Sequence, residues 1–443
     1  MEFYDVIVIG GGPAGFNGAK TVKKLYSEKR ILVINDRENL QIPCSIPYVV
    51  AGKLPLEQNV YPLKKLSEIG DLVIDRVTSV DVSSSSLFTA SGKSYRFERL
   101  IIATGWVPRR LNVPGEDLDG VFYIDTSTES VKEMVSKVKE ARKIVFIGGG
   151  FITVGFADLL SQTYPEKEIT VIEATDRLAS GVFSHEFESE ISSSLASRVR
   201  LLKEERVKAI EGKGKVERVV TEGGFVDADL VFIFIGFLPN SRLAVDAGLE
   251  TERGFIKVDR FLRTSADNVL AAGNCIYHWC PIDGEFTPGM VAAVSARDGR
   301  IAGANVSGPE IKDTGIVPTG ITEVEGKYYG FAGYTEELLK KKGISSVSAS
   351  VESSDGYPGS LEGVKKLKVK LYFLKNGKLV GGEVRGSTKV VTYLVDLISE
   401  LIKTGRGVDY LLSTPSVAFP PTTPPPLLQP LQETALIAKK ELI

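Results

Sequence analysis

Short runs of β-branched and aliphatic residues recur along the first half of the chain, and segments that can form helices separate them. The runs Asp5–Ile9 and Lys143–Ile147 each predict a buried strand, and each leads through a cluster of glycines into a helical segment. Between them, residues 71–102 predict short strands joined by polar turns, which close on the apolar run Leu100–Gly105. This alternation predicts an α/β fold.

A second α/β unit is predicted as an insertion in the first. A helix over Thr128–Arg142 leads into the second glycine cluster. Strands and helices then alternate from residue 144 to 235 and end in the apolar run Leu230–Gly236. A helix of small residues is expected at about residues 290–306.

The pattern changes in the last part of the chain, after about residue 315. Lys366–Leu374 alternates polar and apolar residues and predicts an antiparallel strand, and Val390–Lys403 predicts a helix. The run Phe419–Pro426 is too rich in proline for a helix or a central strand. We expect it to be an extended arm or a loop pinned against another part of the molecule.

The first glycine cluster has the spacing of a dinucleotide-binding turn. Gly10 permits a tight turn, Gly12 leaves room for a pyrophosphate to approach the backbone, and Gly15 allows the helix to pack closely on its strand. The N-terminus of that helix would face the phosphates with unpaired N–H groups and a partial positive charge. The alternative interpretation is a tight strand-to-helix turn that binds no ligand.

The second cluster, Gly148–Gly150, repeats this arrangement with one change. Thr153 stands where the third glycine is expected, and its side chain is expected to hold the helix away from the strand. Downstream, the predicted strand Glu168–Glu173 ends in an acid, at the separation from Gly148 where a carboxylate meets a ribose 2′-hydroxyl. This favours NADH and leaves NADPH as the alternative, while an ordinary solvated charge is the other interpretation of Glu173. Two such turns predict two dinucleotides.

The composition mainly argues against certain classes of protein and kinds of site. The 443 residues are 43% hydrophobic and 25% charged, with a net charge of −2, which is ordinary for a globular protein of two or three domains and does not suggest nucleic-acid binding. No apolar run approaches the length of a membrane span, and the chain opens directly on a predicted strand, so we expect a cytoplasmic protein without an integral membrane segment. Three cysteines without a CxxC pair and two histidines predict neither a metal site nor a disulfide framework.

Cys44 is the candidate redox residue. It follows Pro43 at a predicted helix start, where backbone dipoles are expected to lower the thiol pKa and favour the reactive thiolate. A single cysteine has no neighbour with which to form an internal disulfide, so its oxidised form would be a mixed disulfide, a persulfide or a sulfenate. The alternative is a small buried apolar residue among Ile42, Ile46 and Pro47.

The order of these motifs carries a family resemblance along the whole chain. The motifs are Gly10–Gly15, Cys44–Tyr48, Ala103–Pro108, Gly148–Gly150, Gly236–Asn240 and Ala271–Cys275. In this order they resemble the FAD-dependent pyridine nucleotide-disulfide oxidoreductases, and most of all the single-cysteine branch of coenzyme A disulfide reductases, NADH oxidases and persulfide or polysulfide reductases.

The resemblance implies two Rossmann-like domains and a C-terminal α+β dimerisation domain. The implied FAD-binding domain comprises residues 1–112 and 240–315, the inserted NAD(P)H-binding domain residues 113–239, and the dimerisation domain of a homodimer residues 316–443. The implied catalytic residues are Cys44 and Tyr357, although a structural aromatic is an equal interpretation of Tyr357. The candidate cofactor-binding residues are Gly10, Gly12, Pro13, Ala14, Gly15, Asn35, Asp36, Ala103, Thr104, Gly105, Gly148, Gly150, Phe151, Ile152, Glu173, Gly236, Gly273 and Asn274.

Several residues depart from the family pattern. Asn35 stands at the position of the acid that contacts the FAD ribose, with Asp36 adjacent as a substitute. Asn274 replaces an aspartate at the flavin ribityl chain and keeps a hydrogen bond while losing the charge. Gly155 occupies the position of a glutamate near the nicotinamide. Together with Thr153, these changes bear more on NAD(P)H reduction than on FAD binding.

The implied activity is hydride transfer from NAD(P)H through FAD to Cys44, which reduces a low-molecular-weight disulfide, coenzyme A disulfide, persulfide or polysulfide. Pro13–Asn17 lacks the histidine of peroxidase members, and the proline-rich arm has Phe419 and threonines in place of the usual tyrosine. The alternatives are an NADH oxidase that reduces oxygen and a flavin-binding protein with impaired turnover. A thiol relay from Cys275 or Cys280 to Cys44 is not expected, because their spacing gives neither sulfur a reason to reach it.

Overall fold

The computed structural model describes residues 1–308 and 311–442. The elements of the first part of the chain are β1 (Glu2–Ile9), α1 (Pro13–Leu25), β2 (Ile31–Asn35), α2 (Ile46–Val50), β3 (Asp71–Ile74), β4 (Val77–Asp81), β5 (Ser86–Thr89), β6 (Ser94–Ile102) and β7 (Trp106–Pro108). Strands β1, β2, β3 and the end of β6 are parallel neighbours. The aliphatic residues of the central strands β1 and β2 are buried on both faces, as a parallel sheet covered by helices requires.

The second part of the chain forms a separate parallel sheet. Its elements are β8 (Val121–Tyr123), α3 (Thr128–Glu140), β9 (Lys143–Ile147), α4 (Phe151–Thr163), β10 (Glu168–Ile172), α5 (His185–Ala196), β11 (Val199–Leu202), β12 (Val207–Glu211), β13 (Arg218–Thr221), β14 (Phe225–Asp227), β15 (Leu230–Ile233) and β16 (Phe237–Pro239). The sheet order is β11-β10-β9-β15-β8, and β12-β13-β14 forms a small antiparallel sheet of its own. The predicted strand over 230–236 therefore ends earlier, at Ile233, because Gly236 turns the chain with φ +102°.

The chain then returns to the first sheet. The elements of this segment are α6 (Arg242–Asp246), β17 (Thr251–Glu252), β18 (Phe255–Ile256), β19 (Val269–Ala271) and α7 (Ala292–Ala304). Strand β19 pairs in parallel with the end of β6, and α7 packs along α1. The N-terminal sheet is thus completed by residues that follow the inserted unit.

The C-terminal part is an antiparallel sheet covered by helices. Its elements are β20 (Thr319–Val324), β21 (Lys327–Gly333), α8 (Glu336–Lys341), β22 (Ser346–Ser354), β23 (Lys366–Leu374), β24 (Leu379–Gly386), α9 (Val390–Lys403), α10 (Val408–Ser413) and α11 (Pro430–Leu442). The predicted strand Lys366–Leu374 and helix Val390–Lys403 are both confirmed at their predicted bounds. Among the described residues, no helix has the length and apolar character needed to cross a membrane.

Candidate functional site

The first glycine turn is packed as tightly as its sequence predicts. Gly10 has φ +103°, and a Cβ there would lie 2.3 Å from the carbonyl oxygen of Ala103, the residue after the neighbouring strand β6. A Cβ on Gly15 would lie only 1.8 Å from the Gly10 oxygen, so the first turn of α1 presses directly on the glycine loop. At Gly12, by contrast, nothing lies within 4 Å of an added Cβ, which leaves this backbone open to a ligand.

The N-terminus of α1 is suited to a phosphate. Its N-cap is Gly12, no side chain caps the helix, and its first turn contains no acidic residue. The first N–H groups of a helix have no partner within the helix and carry the positive end of its dipole. The open backbone and the uncapped donors therefore fit the pyrophosphate of a dinucleotide.

The second turn has the same design with looser packing. Gly148 has φ +95°, the space around Gly150 is open, and α4 begins without a side-chain cap or an acidic first turn. Thr153 is fully buried, and its hydroxyl donates to the Gly148 oxygen at 2.5 Å. The helix thus stands far enough from the loop for a threonine, which agrees with the displacement expected from the sequence.

A residue at the end of β2 and the residue just after β10 each contact the middle glycine of their turn. Asn35 accepts from the Gly11 N–H at 2.8 Å through its Oδ1 atom. Glu173 accepts from the Gly149 N–H at 2.7 Å through Oε2, and its Oε1 accepts from the Thr175 N–H at 2.8 Å. The two positions are structurally equivalent, but only the second carries a charge. Asp36, the predicted substitute for the acid, is exposed and lies beside Arg37.

The two units are joined where the chain enters and leaves the insertion. Strands β7 and β16 pair antiparallel, and the rings of Trp106 and Phe237 lie 4.1 Å apart. Thr104 donates its hydroxyl to the Asn240 oxygen at 2.5 Å, and the Asn240 N–H donates to the Gly105 oxygen at 2.9 Å. The predicted cofactor residues Ala103–Gly105 and Gly236 therefore meet at this junction.

Residues Gly273 and Asn274 approach the first turn from the other side. A Cβ on Gly273, which has φ +84°, would lie 2.8 Å from the Cβ of Ala14. Asn274 accepts a hydrogen bond from the Ser295 hydroxyl of α7 at 2.9 Å. The structure thus brings the predicted residues 10–15, 103–105 and 273–274 to one edge of the first sheet.

Cys44 lies on the seam between the two units. The preceding Leu40 packs against the core of the first unit, as does Tyr61, whose N–H donates to the Leu40 oxygen at 2.8 Å. Helix α2, which follows Cys44, instead buries Ile46 and Val49 in the core of the second unit. The cysteine is exposed, so the alternative of a buried apolar residue is wrong.

The expectation of a lowered thiol pKa at Cys44 is also wrong for this conformation. Cys44 occupies a short 3₁₀ turn, Pro43–Ser45, before α2, and partial removal of water by the surrounding protein raises its pKa above the ordinary value for a thiol. One short turn supplies little of the dipole that a long helix provides. Burial together with the charge of Cys44 raises the pKa of the neighbouring Tyr61 to about 12, so this phenol stays protonated at neutral pH.

Two buried amides anchor the segment that carries Cys44, and nothing in the sequence pattern singled them out. The Asn59 amide donates to the Gln41 Oε1 atom at 3.1 Å and to the Ile42 oxygen at 3.2 Å. Gln41 in turn donates to the Thr128 hydroxyl at 3.2 Å, at the start of α3. Both amides are fully buried, so they fix the approach to Cys44 relative to the inserted unit.

The remaining predicted residues lie elsewhere. The Tyr357 N–H donates to the Pro420 oxygen at 2.7 Å, which ties the segment around Tyr357 to the proline-rich arm. Cys275 and Cys280 are buried and, like Cys44, free. Within residues 1–308 and 311–442, no cluster of His, Cys, Asp and Glu is arranged to hold a metal ion.

A contact between α4 and the C-terminal sheet was not foreseen from the sequence. A Cβ on Gly155 would lie 2.7 Å from the hydroxyl of Thr322 on β20. One turn further along α4, Asp158 accepts from the Glu325 N–H at 3.0 Å. The space in which a side chain at position 155 would lie is thus taken by the neighbouring sheet.

Comparison with known proteins agrees with this architecture. The family model described as pyridine nucleotide-disulphide oxidoreductase matches residues 4–299. An NAD(P)H sulfur oxidoreductase (CoA-dependent) from Pyrococcus abyssi is 33% identical over 369 residues, which are 81% of this chain and 82% of that protein. An NADH oxidase from Methanocaldococcus jannaschii is 27% identical and covers 87% of this chain and 88% of its own. The structure of an NAD-dependent persulfide reductase from A. fulgidus superposes with a TM-score of 0.91 at 26% identity, over 99% of this chain and 83% of that one.

Proposed function

The chain belongs to the pyridine nucleotide-disulphide oxidoreductase family, and we propose that it binds FAD at the first glycine turn and NADH at the second. We further propose that it reduces a low-molecular-weight disulfide, persulfide or polysulfide through Cys44. When bound, FAD supplies a carrier that takes two electrons from NADH and returns them to an oxidised sulfur. Residues of the chain would bind the two dinucleotides and provide the reactive thiol.

The observation that carries the proposal is the position of Cys44 on the seam between two units, each of which has an uncapped helix N-terminus after its glycine turn. The segment before the cysteine packs on the first unit and the segment after it packs on the second. The N-terminus of α1 would hold one pyrophosphate and that of α4 the other. Glu173 would bind ribose hydroxyls and repel a 2′-phosphate, which supports NADH as the donor.

The chemistry proposed for Cys44 is thiol–disulfide exchange. Its thiolate attacks a sulfur of the substrate RS–SR′, an S–S bond to Cys44 forms as the RS–SR′ bond breaks, and R′S⁻ leaves. Two electrons are then needed to break the new bond, restore the thiolate and release RS⁻. Because the pKa of Cys44 is raised, the free thiol must lose a proton before it attacks.

The names of similar proteins support a sulfur compound as the electron acceptor. A CoA-dependent sulfur oxidoreductase and a persulfide reductase are among the proteins that this chain resembles over most of its length. An NADH oxidase is a second candidate function, supported by the relative from M. jannaschii. In that activity, oxygen takes the place of the sulfur substrate.

Replacement of Cys44 by serine separates these functions. Under anaerobic conditions NADH should bleach the flavin absorbance of both wild type and Cys44→Ser. We expect reduction of coenzyme A disulfide and polysulfide by the variant to fall about 10³-fold or more, because the nucleophile is missing. Cys275→Ser, at a buried cysteine, is the matched control and should keep full activity.

The other outcomes each point to one alternative. Oxygen consumption far faster than reduction of any sulfur acceptor would favour an NADH oxidase. Flavin that stays oxidised with excess NADH would indicate the impaired flavoprotein. A colourless purified protein, or a serine variant as active as wild type on every sulfur acceptor, would contradict the proposal.

A homodimer is the second part of the proposal. The helices α9, α10 and α11 and the proline-rich arm expose an apolar surface, which we call the C-terminal apolar face; its residues are Tyr393, Leu397, Tyr410, Leu412, Val417, Phe419, Leu427, Leu436 and Ile437. Tyr393 is 73% exposed and Leu427 94% exposed. Many large exposed apolar side chains in one part of the chain are typical of an interface between subunits.

Light scattering tests the homodimer. Wild type should have twice the 48.0 kDa mass of one chain, and Tyr393→Lys combined with Leu397→Lys should yield monomers. Phe225→Lys, at an exposed apolar residue of the inserted unit, is the control and should leave the dimer intact. A wild-type mass of 48.0 kDa would contradict the proposal.

The three free cysteines are in keeping with the reducing, cytoplasmic location that we propose.

A further inference from the structure

A carboxylate and an imidazole are buried together beneath the loop of residues 272–274. Asp298 of α7 is fully buried and His278 is 2% exposed, and the Asp298 Oδ2 atom lies 2.7 Å from the His278 Nε2 atom. The pair lies outside the set of cofactor residues predicted from the sequence. Burial of an ionisable pair costs free energy unless its hydrogen bonds offset that cost.

The same carboxylate oxygen reaches the loop itself. The Gly273 N–H donates to the Asp298 Oδ2 atom at 3.3 Å. One turn earlier on α7, the Ser295 hydroxyl donates to Asn274. One face of α7 therefore contacts two consecutive residues of the loop: the backbone of Gly273 and the side chain of Asn274.

Helix α7 is itself fixed to the first glycine turn. A Cβ on Gly299, the residue after Asp298, would lie 2.1 Å from the Ala14 oxygen, and one on Gly303 would lie 2.5 Å from the Gly18 oxygen. These backbone contacts allow no side chain between α7 and α1. A residue of α7 that holds Gly273 thus sets the distance from that loop to the N-terminus of α1.

His278 holds the carboxylate in place. Its Nε2 atom donates to Asp298, and the ring lies so close to Gly289 that a Cβ there would come within 2.6 Å of it. The Nδ1 atom is buried and has no hydrogen-bond partner among the described residues. The guanidinium of Arg297 lies 3.6 Å from the Asp298 Oδ1 atom.

We propose that Asp298, oriented by His278, is a positioning residue that holds loop 272–274 against the first glycine turn and so sets the affinity and the reduction potential of the flavin. The inference rests on the proposed binding of FAD at that turn. Neutralising Asp298 would weaken the charge-assisted hydrogen bonds to Gly273 and His278. It would also remove the carboxylate that is buried beneath loop 272–274.

The test compares Asp298→Asn with wild-type holoenzyme. We expect FAD release on dilution, followed by flavin fluorescence, to become about tenfold faster, as the loss of a hydrogen bond to a charged group implies. The midpoint potential of the flavin should rise, because an electron-rich flavin is more stable without a nearby anion. NADH affinity, which depends on the second turn, should not change.

Asp313→Asn is the matched control. Asp313 is also a buried carboxylate, it pairs with Arg297 next to Asp298, and it accepts from the Trp279 indole at 2.9 Å, but these contacts do not involve loop 272–274. Its substitution should leave FAD release unchanged. His278→Gln keeps the Asp298 carboxylate and should shift FAD release in the same direction by a smaller factor, which provides a second variant if Asp298→Asn does not fold.

Three results would overturn the inference. The first is a rate of FAD release in the Asp298 and His278 variants within about twofold of wild type, and the second is release from Asp313→Asn as fast as from Asp298→Asn. The third is faster release from Asp298→Asn with an unchanged flavin potential, which would indicate a purely structural role. Wild-type protein that binds no FAD would instead contradict the proposed function. The two failures are therefore distinguishable.

Discussion

The two glycine turns of this chain have the same backbone design, but the segments around them pack differently. At the first, Gly15 presses on the Gly10 oxygen, and α1 is packed backbone to backbone against α7. At the second, Thr153 fits beneath the loop, and α4 meets β20 through side chains such as Thr322. A tightly fixed frame suits a cofactor that stays bound, and a more tolerant one suits a coenzyme that must enter and leave in each cycle.

Exchanging the residues that distinguish the two turns should have the largest effect. Gly15→Thr places a Cβ 1.8 Å from a backbone oxygen that cannot move aside, so we expect a loss of about 3 kcal/mol or more in unfolding free energy and loss of bound flavin. Thr153→Gly removes one hydroxyl and one buried side chain and should cost about 1 to 2 kcal/mol. Urea unfolding measures both, and equal costs would break the comparison.

The charge difference between Asn35 and Glu173 is the next test. In Glu173→Gln one of the N–H groups of Gly149 or Thr175 loses its acceptor, so we expect the KM for NADH to rise about tenfold while flavin content stays constant. The penalty against NADPH should shrink at the same time. Asp176→Asn changes the net charge equally at an exposed position nearby and serves as the control. Unchanged kinetics in Glu173→Gln would show that the second turn does not depend on this charge.

The seam between the turns is probed by the reactivity of its thiol. Because the pKa of Cys44 is raised, its thiolate fraction is small at neutral pH and grows as the pH passes the raised value. Alkylation by iodoacetamide should therefore be slower at pH 7 than for an ordinary exposed thiol and should rise in alkaline solution. The buried Cys275 and Cys280 should stay unmodified in the same samples. Alkylation that is already maximal at pH 7 would show a lowered pKa instead.

The smallest effect is expected where α4 meets the C-terminal sheet. Gly155→Ala brings a methyl group within 2.7 Å of the Thr322 hydroxyl, which can rotate away, so we expect a cost of about 1 kcal/mol. Thr322→Ala should relieve it in the double variant, which a double-mutant cycle on unfolding free energy would detect. Gly299→Ala, against the Ala14 backbone of the first unit, should cost far more. Equal costs at the two glycines would mean that both units are held equally rigidly.

Much of this architecture is encoded locally and was predictable. The α/β fold and the family are confirmed, because strands such as Asp5–Ile9 are apolar on both faces and the glycine spacing is specific to one kind of turn. The strand at residues 366–374 follows from the alternation of lysines with apolar residues in its first half. The domain limits and the roles of the individual site residues remain predictions.

What the sequence did not indicate depends on contacts between distant segments. The Asp298–His278 pair, the Gln41–Asn59 amides and the Gly155–Thr322 contact each join residues that no periodicity relates. The direction of the Cys44 pKa was predicted wrongly, because the sequence indicated a helix start at Pro43 but not the partial desolvation that raises the pKa of the thiol. Partial desolvation of a thiol depends on the segments that surround it in the assembled fold.

The return of the chain to its first sheet has a consequence for biosynthesis. Strand β19 and helix α7 complete the N-terminal sheet, so that sheet stays unfinished until the ribosome has made the residues beyond the insertion. The strands of the second parallel sheet, β8 to β11 and β15, all lie in one continuous stretch that ends at Ile233, so they are complete much earlier. We therefore expect the middle of this chain to acquire its native structure before the beginning does, which reverses the usual order of folding during translation.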